Sequence, residues 1–216
     1  MGEDAQSWSA AVSYRLQLYV LRREQARLEE VEDLVRSSVE EYPTYPIWRC
    51  VLTQMAAELG YTAEARAALE ALAADRFASL SFDEGWLVSV GLLAETASAL
   101  GDAERASLLY ELLLPYGDRV AVAYPEISTG SVARYLGLLA STMRRWDDAA
   151  RHFENALAMN ERIGARPWLA RTQSEYAQML VARDAPGDTE KARRLSAAAS
   201  RAGATRFATR EGACQE

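Results

Sequence analysis

Ala65, Ala106, Ala149 and Ala192 stand 41, 43 and 43 residues apart, and Val31 fits the series 34 residues before Ala65. Each opens a similar segment, in which a charged run gives way to alanines and large apolar residues at helical spacing. A fixed period of this size marks a stack of structural repeats, because one such unit cannot bury its apolar face alone and leans on its neighbour. Five copies of one helical hairpin constrain this chain more than any other feature. Stacks of this kind present surfaces and rarely carry chemistry, so contact rather than turnover is the first expectation.

The three-to-four-residue period runs through every segment, and sustained two-residue alternation is nearly absent. The first segment, about 5–24, carries Trp8, Val12, Leu16 and Tyr19 on one stripe and Tyr14, Leu18 and Leu21 on another. A helix apolar on two sides expects neighbours on two sides. The next, about 26–41, turns Leu28, Val31, Leu34, Val35 and Val39 inward and ends before Pro43 and Pro46. Helices then follow in pairs: 46–59 with 62–74 across Gly60, 85–100 with 102–114 across Gly101, 131–144 with 146–161 across Arg144-Arg145, and 166–183 with 188–202 across Ala185-Pro186-Gly187. Glycine suits the left-handed residue past a helix end, and Asp102 and Asp188 are suited to cap the helices that follow. The longer connection 115–130, where Val120, Val122 and Tyr124 alternate with alanines, has extended character. Residues 1–203 form one helical repeat domain in this reading, and 204–216 a flexible tail. The fold class is all-α.

Which repeat this is emerges most sharply at 130–163. Leu136-Gly137 in a first helix precede Trp146, Ala149, Phe153 and Ala156 in a second. This resembles the tetratricopeptide repeat, with its Leu-Gly, aromatic, Ala, aromatic, Ala order. Leu93-Ala94, Ala106 and Tyr110 resemble the same places one unit earlier, while Ala65, Leu69 and Leu72 give a weaker version. The resemblance implies a right-handed superhelical solenoid of about five antiparallel helix pairs. The runs Arg134–Leu139 and Ile163–Thr172 also resemble the C-terminal repeat region of large bacterial signalling ATPases, the cyclase- or helix-turn-helix-linked regulators. That likeness implies a sensor or scaffold arm.

Chemistry has little to work with. His152 is the single histidine, the sequence has no G-x-S-x-G elbow, and a metal site needs several convergent ligands. Neighbouring carboxylates such as Asp147-Asp148 diverge by about 100° on a helix. Lys191 is the single lysine and its surroundings lack the phosphate-loop form. We therefore expect no enzyme, no cofactor and no metal. A net charge of −7 argues against a nucleic-acid face, which needs clustered Lys and Arg; Arg22-Arg23, Arg144-Arg145 and Arg193-Arg194 read as solvated helix faces. No apolar stretch suits a membrane span, and two cysteines, Cys50 and Cys214, suit a reduced, cytoplasmic setting. Trp48, Trp86, Trp146 and Trp168, near helix starts, are expected to pack in the core.

The tetratricopeptide resemblance implies a concave groove lined by the first helix of each pair. Carried over unit by unit, its places fall on Gln54 and Glu58, on Glu95, on Arg134 and Ser141, and on Arg171, Ser174 and Gln178. The charge along them grades from acidic to basic. A protein or peptide partner reading that groove is the main functional expectation. The alternatives are a small-molecule sensor whose 115–130 segment folds over the groove, and a homodimer formed through the first helix.

Overall fold

The computed structural model describes the backbone of residues 2–211 and the side chains of residues 10–201; Trp8 and Cys214, both considered above, lie outside the described side chains. The helices are α1 (Gly2–Glu24), α2 (Glu32–Glu41), α3 (Ile47–Glu58), α4 (Thr62–Ala73), α5 (Trp86–Ala99), α6 (Ala103–Leu113), α7 (Val132–Thr142), α8 (Trp146–Arg162), α9 (Arg166–Arg183) and α10 (Asp188–Glu211). A two-stranded antiparallel sheet interrupts them: β1 (Val120–Ala123) pairs with β2 (Ile127–Ser131), with Val122 opposite Ser128. The connection expected to be extended is thus a β-hairpin. The segment expected as one helix over 26–41 is divided, a 3₁₀ turn at Leu28–Val31 leading into α2. At the other end α10 runs on to Glu211, past the expected end near residue 202.

The punctuation follows the backbone chemistry. Gly60 and Gly101 take positive φ (84° and 64°) where α3 and α5 end, a region that residues with a Cβ enter reluctantly. Asp102 caps α6 by accepting from the Arg105 N–H at 3.1 Å. Asp188 does something else: it lies in the first turn of α10 and accepts backward, from the Ala185 N–H at 2.9 Å and from both arms of Arg183. It fastens the preceding turn instead of capping its own helix.

Packing proceeds in chain order. α3 lies against α5 and α5 against α7, each backed by the helix that follows it, and α8, α9 and α10 continue by neighbour contacts. α5 is buried nearly all round, as a helix apolar on every side must be. Close approach is set by small residues: a Cβ at Gly91 would stand 2.6 Å from the Tyr135 ring, and one at Gly137 2.9 Å from the Phe153 ring. Trp48, Trp86 and Trp168 are buried and Trp146 is half-buried.

α1 also departs from simple hairpin order. Its Val12, Leu16, Tyr19 and Arg23 form a single buried stripe, while Tyr14 and Leu21 on another side are 63% and 49% exposed. The buried stripe reaches both α3 and α5 through its polar tips.

Candidate functional site

The first helices of the hairpins converge on one cleft of about 210 Å³. Gln54, Glu58, Glu95, Arg134, Arg171 and Gln178 all line it. Ser141 lines the adjoining pocket of about 230 Å³, which shares Ser98, Leu138, Glu175 and Gln178 with the cleft and continues it toward Trp146 and Met179. Ser174, half-buried, belongs to neither pocket. Six of the eight positions taken from repeat register thus line the cleft, and a seventh lines its extension.

Two charged residues were missed. Arg23 enters from α1, 5% exposed, with its Nε 2.7 Å from Glu58 Oε2 and its other arm bonded to Glu95. Its expected place on a solvated face is corrected: successive helical residues diverge, so Arg22 faces Gln25 and Glu30 while Arg23 turns inward. Glu175 from α9 receives Arg134 on both oxygens, at 2.7 and 2.5 Å. Arg134 also donates to Glu95 at 2.6 Å and is fully buried. Arg171 completes the set at looser range, 3.9 Å from Glu58 and 4.0 Å from Glu95. Three guanidiniums thus interleave with three carboxylates. The acidic-to-basic gradient does not exist, because opposite charges on adjacent helices meet and neutralise one another.

Burial and pairing compete at each of these groups. Burial pushes the Glu95 carboxyl up, but Arg23, Arg134 and Arg171 together outweigh it and hold the group down at about 2. Burial disfavours the Arg134 cation, yet Glu175 and Glu95 keep it above its ordinary value. Tyr19, whose hydroxyl donates to Gln54, is raised by burial.

Arg171 differs from its neighbours. It is half-buried and stacks 5.7 Å from the Trp168 ring, and among the described residues its guanidinium makes no hydrogen bond to a side chain. Trp168 is itself fixed, donating from Nε1 to Ser128 O of β2 at 3.1 Å. Arg171 and the exposed Gln178 are therefore cleft donors open to an incoming group, whereas Arg134 is already saturated.

The β-hairpin does not close the cleft. Its residues meet Gly85 before α5, Asn160 at the end of α8, Trp168 in α9 and Ser13 and Gln17 of α1, and none lines either pocket. Among the described residues no group of three or more His, Cys, Asp and Glu is able to hold a metal ion, and no helix is long and apolar enough to cross a membrane. Comparison with known proteins gives no match to a family model, a curated protein or a solved structure.

His152 stands apart and lines neither pocket. It is buried with Nε2 2.9 Å from the Tyr110 hydroxyl, which joins α8 to α6. Burial, then the nearby Arg151, lowers its pKa. The folded state thus takes up its proton later than the unfolded chain, which titrates near 6.5. Stability from the neutral ring is complete above that value and is lost as the pH falls through the depressed one. We expect the thermal midpoint to drop more between pH 7.5 and 5.5 in the unaltered protein than in His152→Gln. Parallel pH profiles would show that the ring contributes nothing.

Proposed function

We propose that this chain is a non-catalytic interaction module that holds a protein or peptide segment in the cleft. In this reading it is a cytoplasmic, right-handed superhelical array of tetratricopeptide-like hairpins. It serves as the regulatory arm of a larger bacterial signalling or transcription-regulating ATPase. The carrying observation is the convergence of Gln54, Glu58, Glu95, Arg134, Arg171 and Gln178 on one cleft, with the Arg171 donors unspent. Polar groups whose neighbours already fix their place bind with little further ordering.

The test uses Arg171→Ala combined with Gln178→Ala in the full chain, since removal of the saturated Arg134 would disturb the fold. Proteins retained from a lysate of the source cells are quantified against the unaltered chain. Loss of a retained species supports the reading, and identical retention rejects it. A cleft of about 210 Å³ also suits a small molecule. A panel of metabolites read by thermal shift separates the two, because a ligand bound only by the folded form raises stability.

A further inference from the structure

We propose that α1 is a resident, exchangeable ligand of the groove, and that the partner is an amphipathic helix carrying an arginine at the place Arg23 now fills. This rests on the interaction-module reading and names the partner's chemistry. α1 docks by one face, with buried positions at i, i+4, i+7 and i+11, the last of which enters the cleft. Those positions are Val12, Leu16, Tyr19 and Arg23. The two polar anchors end the line: the Tyr19 hydroxyl donates to Gln54, and the Arg23 guanidinium lies between Glu58 and Glu95.

Charge says what else can occupy the place. With α1 withdrawn, Glu58, Glu95 and Glu175 would face Arg134 and Arg171, and Arg171 holds its partners at no closer than 3.9 Å. The emptied groove carries one unmatched negative charge at a spot already shaped for a guanidinium. Arginine rather than lysine fits, because two separated carboxylates on different helices are bridged by a planar fork. A helix lacking that arginine would leave the buried Glu95 bonded to one guanidinium, that of Arg134, where it now has two, which gives the groove its selectivity.

The tether is compatible with release. α1 is joined to the rest by Gln25–Arg27, where Ala26 holds a positive φ of 53°, unfavourable for a residue with a Cβ. That turn closes on the carbonyls of Arg22 and Arg23, so it belongs to the end of α1 and persists when the helix leaves. The adjoining pocket toward Trp146 and Met179, beyond the cleft that Arg23 lines, gives a longer incoming helix further apolar surface.

The experiment uses a fluorescein-labelled peptide of residues 8–24 as probe and the full chain carrying Tyr19→Ala and Arg23→Ala, which loosens its own α1. By anisotropy the peptide should bind this variant at least about tenfold more tightly than the unaltered chain, and Arg23→Glu in the peptide should weaken binding by at least about tenfold. Failure to bind a variant that circular dichroism shows to be folded would overturn the proposal. So would equal binding of the Arg23→Glu peptide. A stable dimer of the unaltered chain in sedimentation, abolished by Arg23→Glu, would also overturn it, since the occupant would then be a second copy. Should the variant not fold, hydrogen exchange on the unaltered protein decides. An undocked helix of this length is marginal in water, so α1 amides should exchange at least about tenfold faster than those of α5 and α7; equal protection refutes release. Peptide binding does not involve Arg171→Ala or Gln178→Ala, so this inference and the broader reading fail on separate results.

Discussion

Glu95→Gln should lower the thermal midpoint by about 6–12 °C, from a loss of about 3 kcal/mol spread over a chain of this length. The carboxylate is buried between Arg23 and Arg134, with Arg171 at the edge. An amide can still accept one hydrogen bond but cannot balance two buried cations. The loss is placed at the low end of the range for a broken buried pair because Arg23 keeps Glu58 and Arg134 keeps Glu175. Removing the excess cation as well should recover part of it: Glu95→Gln with Arg23→Met is expected to be less destabilised than the sum of the single changes. Acid gives an independent check. The folded pKa of Glu95, about 2, lies below the ordinary carboxylate value. Its stabilisation is complete above the unfolded value of about 4.3 and lost as pH falls from there toward the depressed one. A midpoint for Glu95→Gln within the scatter of the unaltered protein would mean that the cluster is bystander charge.

The helices of this cluster were legible and its pairing was not. Helix positions follow from apolar periodicity and from glycines at Gly60 and Gly101, both local signals. Six of the cleft residues follow from repeat register, a signal extending over one period. Arg23 meets Glu58 and Glu95 across separations of 35 and 72 residues, and no local pattern specifies that. A trace was nevertheless present: the stripe Val12, Leu16, Tyr19 continues at helical spacing to Arg23, so a cation sits on an otherwise apolar line. Glu175 left a fainter one. It lies 41 residues from Arg134, close to but not on the 43-residue spacing from Ala149 to Ala192. The 115–130 connection shows the opposite case. Its alternation was visible, but the place where the strands dock depends on Trp168 and Asn160, far along the chain.

Gly137→Ala should destabilise the protein even though alanine is the better helix former. The gain in propensity is about 1 kcal/mol, while overpacking a filled core costs about 1–3 kcal/mol. The new methyl would stand 2.9–3.0 Å from three atoms of the Phe153 ring. That ring has no room to retreat: it is fully buried and stacks on Tyr176 with centroids 5.3 Å apart. Helix α7 therefore approaches α8 closely because position 137 has no side chain, which is the physical content of the Leu-Gly pair and the later aromatic read from the sequence. The dependence is reciprocal, so it can be tested as a cycle. Phe153→Leu alone leaves a void and lowers stability by roughly 1–2 kcal/mol, as large-to-small core changes do. In that background the methyl of Gly137→Ala enters space the ring has vacated. The double variant should then be more stable than the summed single effects by at least about 1 kcal/mol, measured from denaturant midpoints. Additivity within about 0.5 kcal/mol would show that the two residues do not share one volume, and the close packing of α7 on α8 would need another cause.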